Sequence, residues 1–236
     1  MEYVIGFVSQ KGGVAKSTLS RALAREFHAN GFKVKLADMD VQQATTVNWH
    51  ARRLAAGLEP IGSVECFRSM SEAMAGVGDA EVLIVDAAGR ATAATGDIAK
   101  YCDLVIQPSA PGLDDLQPGV LLFHELIKKQ ISPDKLRFAL TFIGTKTEER
   151  MAREYIQAAG YKVLAGSLEF RPSYRASMDA GRTIAETTYK SVNEKAERLL
   201  QSILDTLQEK DENIIDSSYL KDNSQPADKK QTALEI

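Results

Sequence analysis

Long apolar runs are absent from this 236-residue chain: no stretch approaches the ~20 residues a membrane-spanning helix needs. The start, Met1-Glu2-Tyr3-Val4-Ile5, has no charged leader and no extended apolar core, so no secretory signal is expected. Cysteine is scarce. Cys66 and Cys102 are the only two, without CxxC spacing, and the histidines are not clustered near them. A disulfide framework or zinc site is therefore not expected, and both read as reduced core thiols of a cytoplasmic protein. Strong charge of one sign is also missing. The net charge is −3, and the stretch from Glu209 onward, with seven acids and four lysines, accounts for it. The remaining body carries 25 acids and 25 bases and is neutral, which leaves room for a local basic face.

Hydrophobic residues at 44% and charged residues at 26% are ordinary for a globular protein, and the length suits one large α/β domain. Short Val/Ile/Leu-rich runs alternate with helical stretches, the pattern of a mostly parallel twisted sheet of about seven strands flanked by helices. The expected strands are Val4–Ser9, Lys33–Asp38, Val64–Phe67, Val82–Asp86, Leu104–Gln107, Phe138–Ile143 and Val163–Ser167. Helices are expected near Ser17–Asn30, Thr45–Ala56, Leu113–Lys129, Glu148–Ala159 and Val192–Gln208, with Gly31 and Gly160 as helix-ending glycines. The domain is assigned to residues 1–208. Residues 209–236 are polar and acidic, the composition of a disordered tail.

Gln10-Lys11-Gly12-Gly13-Val14-Ala15-Lys16-Ser17-Thr18 follows the first strand and opens a helix. In that setting a glycine-rich segment acts as a phosphate loop. Gly12 and Gly13 let successive N–H groups turn inward around an anion, and the helix N-terminus adds partial positive charge. Lys16 then reaches the β- and γ-phosphates of ATP and the Ser17 hydroxyl binds Mg²⁺. Ala15 stands where G-x-x-x-x-G-K-[ST] has glycine, and alanine tolerates positive φ poorly.

Two carboxylate segments follow. Asp38-Met39-Asp40-Val41-Gln42 ends the second strand, where ligands bind in open α/β sheets, although either aspartate could instead cap the next helix. Val82-Leu83-Ile84-Val85-Asp86 is an apolar strand ending in a carboxylate, which places Asp86 on Mg²⁺. Ala87-Ala88-Gly89-Arg90 behind it is a candidate two-state loop.

Lys11-Gly12-Gly13-x-x-Lys16-Ser17 resembles the deviant Walker A motif of the ParA/MinD superfamily of ATPases, whose signature is the first lysine. The resemblance extends over nearly all of Met1–Gln208. Asp38 and Asp40 with Gln42 stand in for the family's D-x-D-P-Q, Val41 replacing proline, and Glu169–Arg175 with Gly181–Ile184 and Glu186 match its C-terminal block. It implies that Lys11 reaches the nucleotide of a partner subunit in an ATP-dependent homodimer, that Asp40 orients the attacking water, and that Asp38 supports the metal. It also implies that Thr145, Lys146, Phe170, Arg171 and Pro172 hold the base; simple surface packing is the other reading of that proline-aromatic loop.

Gln42 followed by Trp49 and Arg52-Arg53 resembles the small plasmid-type members, and with few residues before the first strand the N-terminal helix-turn-helix arm of the larger partition ATPases is not expected. Their role implies plasmid or chromosome partition: an ATP-bound dimer on the nucleoid, bound to DNA without sequence preference and released by a ParB-like or small centromere-binding adaptor. Arg175, Arg182, Lys190, Lys195 and Arg198 are the DNA-binding candidates, against the plainer reading of a mixed-charge solvated face. The acidic end lacks the basic amphipathic helix of MinD-like members, so no membrane partner is expected. The competing functional class is positioning of another cargo through protein partners.

Overall fold

The computed structural model describes residues 1–89 and 93–222, excepting the side chains of 93 and 210–222. Seven strands form one sheet: β1 (Tyr3–Phe7), β2 (Val34–Asp38), β3 (Ser63–Cys66), β4 (Val82–Asp86), β5 (Leu104–Ser109), β6 (Leu136–Leu140) and β7 (Lys162–Val163). Their order is β3-β2-β4-β1-β5-β6-β7, and every pairing is parallel. The apolar runs of β4, β5 and β6 are buried along their whole length, because crossover helices cover both faces of a parallel sheet.

The helices are α1 (Lys16–Ala29), α2 (Thr45–Ala55), α3 (Met70–Ala75), α4 (Ala93–Tyr101), α5 (Leu113–Lys128), α6 (Lys146–Ala158), α7 (Pro172–Asp179) and α8 (Lys190–Asp222). Val4, Leu83, Val105, Phe123, Phe138 and Ile156 belong to one continuous apolar cluster. It includes an edge-to-face pair, Phe123 and Phe138, with ring centroids 4.7 Å apart. Cys102 is fully buried there, whereas Cys66 at the end of β3 is only half-buried; both are free.

The chain divides into two units, Met1–Ile203 and Leu204–Ile236. The first contains the whole sheet. In the second, α8 continues to Asp222, so residues 209–222 are helical where composition suggested a structureless tail. Polar composition does not forbid a helix: Glu and Lys, both present there, are good helix formers. Residues 223–236 of that tail, and Arg90 of the candidate two-state loop, lie outside the described residues.

Candidate functional site

The register brings the chemistry together. β1 lies between β4 and β5, and β2 lies beside β4, so the chain segments leaving β1, β2 and β4 emerge at one edge of the sheet. Asp38 and Asp86 are the last residues of their strands and are direct cross-strand partners. A cavity of about 350 Å³ opens above them, lined by Gly12, Gly13, Lys16, Ser17, Asp40 and Gly89 among others.

Lys16 is buried at the first turn of α1, and its Nζ donates to Ser9 Oγ at 2.8 Å. Two carbonyls complete the cradle, Gly89 O at 3.4 Å and Lys11 O at 3.5 Å. Burial lowers the Lys16 pKa, and the charges of Asp86 and Asp40 partly restore it. Ala15 takes the left-handed conformation expected of glycine, with φ 76°. The loop is pinned from the residue following β6 by the Thr141 hydroxyl, which donates to the Val14 carbonyl at 3.3 Å.

The two carboxylates have different surroundings. Asp38 accepts from the backbone N–H of Asp40 at 3.0 Å through Oδ1 and of Thr46 at 2.8 Å through Oδ2. It therefore caps α2, whose own N-cap residue, Ala44, has no side chain able to do so. Asp40, half-buried at the cavity wall, accepts from Gln43 N–H at 3.1 Å. Asp86 is fully enclosed: Oδ2 accepts from the Thr46 hydroxyl at 2.7 Å, while Oδ1 is buried and has no hydrogen-bond partner among the described residues. Burial raises the Asp86 pKa against the hydroxyls of Thr46 and Ser17 and the charge of Arg21, with Asp38 adding to the rise. An enclosed carboxylate oxygen without a donor, beside a serine hydroxyl, suits a hard cation. Mg²⁺ needs only one or two carboxylates when phosphate oxygens and waters complete its shell. Among the described residues no group of three or more His, Cys, Asp or Glu could hold a metal by itself.

A second cavity of about 350 Å³ shares Ala15, Thr18 and Phe142 with the first, so the two are contiguous. Phe170, Arg171 and Pro172 line it, together with Arg21, Thr141 and Tyr174. Thr145 and Lys146 are not among the lining residues. Thr145 instead forms a capping box with Glu148 at the start of α6. Phe142 was missed by sequence reasoning. It holds φ 56°, a strained conformation for an aromatic residue, and its ring lies 6.3 Å from that of Phe170. Nothing in its residue type signals that backbone state.

Lys11 is half-exposed and pairs with Asp115 on α5 at 3.3 Å. The five candidate cations for nucleic acid differ in freedom. Lys195 is held by Glu169, which also takes Arg171 at 2.5 Å. Arg198 Nε donates to the Glu194 carbonyl at 3.3 Å within its own helix. Among the described residues Arg175 and Arg182 form no ion pair, and Lys190 begins α8. No helix among the described residues is long and apolar enough to cross a membrane.

The model of the CobQ/CobB/MinD/ParA nucleotide-binding domain matches residues 5–184. The fold is similar to that of the cell division ATPase MinD of Pyrococcus furiosus, at 16% identity and TM-score 0.69, covering 87% of this chain and 99% of that one. It is similar also to a putative plasmid partition protein of Borrelia burgdorferi solved with AMPPNP, at 14% identity and TM-score 0.67, covering 87% and 99%. McdA of Cyanothece matches at 12% identity and TM-score 0.62, covering 86% and 100%. No curated protein matches in sequence.

Proposed function

Because the chain belongs to the CobQ/CobB/MinD/ParA nucleotide-binding family, we propose that it is a Mg-dependent ATP hydrolase that cycles between a monomer and an ATP-bound homodimer to partition plasmid or chromosomal DNA. The carrying observation is the convergence of Lys16, Ser17, Asp40 and Asp86 on one cavity at the strand ends. Lys16 and the N–H groups of residues 12–17 take the phosphates, and Phe170, Arg171 and Pro172 with Phe142 take the base. Ser17 and Asp86 hold Mg²⁺, which would neutralise phosphate charge. Asp38, fixed as the cap of α2, would support the metal from beside Asp86. Asp40 orients the water that attacks the γ-phosphate, with little covalent work left to the protein.

Lys11 is assigned to the partner's nucleotide. In the dimer, Arg175, Arg182, Lys190, Lys195 and Arg198 of two copies combine into a DNA-binding face, weak per subunit and indifferent to sequence. A ParB-like or small centromere-binding adaptor would trigger release, on the cytoplasmic nucleoid. The test is the DNA-bound fraction against salt with ATP, ADP or no nucleotide. ATP should raise binding, with a steep salt dependence; equal binding in all three states would contradict the reading.

One observation favours a second reading. Lys195 is already neutralised by Glu169, so the cationic face is thinner than the sequence suggests. A thin face suits an ATP-controlled protein contact that positions another cargo. Absence of DNA binding with intact ATP-dependent dimerisation would select it.

A further inference from the structure

Asp38 and Asp86 stand side by side on neighbouring strands, 1% and 2% exposed, an arrangement of like charges that costs stability unless a cation balances it. Lys16 faces them from the phosphate loop. A second cation, which the phosphate-loop pattern does not include, reaches them through Thr46 of α2. Arg21, on α1, is 7% exposed, and its Nε donates to Thr46 Oγ1 at 2.9 Å. The same hydroxyl donates to Asp86 Oδ2 at 2.7 Å, and the Thr46 N–H donates to Asp38 Oδ2 at 2.8 Å. A guanidinium only donates and an ionised carboxylate only accepts, so the direction of the Thr46 hydroxyl between them is fixed. Both of its bonds are charge-assisted, and each polarises the other.

Arg21 is itself held in place. Its Cζ lies 5.3 Å from the centre of the Trp49 ring, whose other guanidinium neighbour, Arg53, is at 5.9 Å. Arg53 is anchored by two bonds to Glu186, at 2.8 and 3.0 Å. A string of side chains thus runs from the metal-binding carboxylate to the 181–186 segment.

We propose that Arg21 is a positioning residue of the metal site: through the Thr46 hydroxyl it aims Asp86 into the phosphate cavity, and its charge balances the Asp38–Asp86 pair whenever no cation is bound. The inference rests on the nucleotide-binding reading above and deepens it. Two separable consequences follow. Removing the charge leaves the carboxylates to repel the phosphates of a nucleotide that arrives without metal. Cutting only the hydroxyl link leaves that charge but frees Asp86 to turn away from the metal.

The experiment is ADP affinity with Mg²⁺ and with EDTA, for the full-length protein and for Arg21→Met, Arg21→Lys and Thr46→Val. The quantity read is the gain in affinity on adding Mg²⁺. In Arg21→Met, binding in EDTA should weaken about tenfold more than binding in Mg²⁺, so the gain rises by that factor. Arg21→Lys keeps the charge and should stay within about threefold of the wild type. Thr46→Val should shift the gain in the other direction, losing about tenfold in Mg²⁺ while binding in EDTA holds. Equal weakening of Arg21→Met in both conditions would reduce Arg21 to a packing residue and overturn the inference. So would an unchanged gain in Thr46→Val, which also decides the matter if Arg21→Met does not fold. A wild type that binds no ADP in either condition would overturn the nucleotide reading itself.

Discussion

Lys11 Nζ sits 3.3 Å from Asp115 Oδ1, so the lysine assigned to the partner's nucleotide is tied, within its own subunit, to the first turn of α5. Both side chains retain solvent contact, 44% and 25%, which keeps the pair weak, about 1 kcal/mol or less. Asp115→Asn should therefore leave thermal stability nearly unchanged while freeing Lys11. ATP-dependent dimerisation is expected to tighten by about fivefold or less, read by sedimentation across a protein dilution series. Weakened dimerisation would mean that Asp115 holds Lys11 in its working position.

Ala15 occupies φ 76°, where a Cβ is costly. Ala15→Gly should stabilise the protein by about 0.5–1 kcal/mol, the relief of left-handed strain less the extra freedom of glycine in the unfolded chain. Urea denaturation without nucleotide reads this directly. A destabilised variant would show that the strain is not stored at this residue.

Glu186 provides a pH signature. Burial opposes its ionisation, but the hydrogen bonds from Arg53 and the Thr183 N–H outweigh burial and hold its pKa down to about 2, from 4.5. A depressed carboxylate contributes stability that is complete above its unfolded pKa and is lost as pH falls toward the folded one. Its contribution should fade between about pH 4.5 and 2. Glu186→Ala leaves the 2%-exposed Arg53 without its anion and should cost about 3 kcal/mol at pH 7. Denaturation curves of the two proteins should converge at low pH; a constant difference would rule out this ion pair as the cause.

Lys16→Ala and Asp40→Ala should separate binding from chemistry. Loss of the buried Lys16 ammonium should lower ATP affinity about a hundredfold, measured by calorimetry. Asp40→Ala should keep affinity and lose turnover, accumulating the ATP-bound dimer on DNA. Normal hydrolysis by Asp40→Ala would remove it from the catalytic step.

Much of this was legible in the chain itself, for physical reasons that differ by element. β4 and α1 were readable because a strand buried on both faces is continuously apolar, and because the glycines and lysines of a phosphate loop sit at fixed spacing before a helix. α3, with six residues, and α7, which opens on a proline, are too short for periodicity to reveal. The partnership of Arg21, Thr46 and Asp86 joins α1, α2 and β4 across long sequence separations, and no local pattern encodes it. Trp49, singled out in the sequence only by resemblance, is fully buried, with two guanidinium groups 5.3 and 5.9 Å from its ring centre that only the tertiary structure brings together.

The most direct test of the central claim is the molecular mass in solution of wild type and Lys11→Ala, by light scattering with Mg-ATP and with Mg-ADP. Wild type is expected to be a dimer in ATP and a monomer in ADP, and Lys11→Ala to bind nucleotide yet stay monomeric in both. A wild type that remains monomeric in ATP, or a Lys11→Ala variant that dimerises as well as the wild type, would contradict that claim.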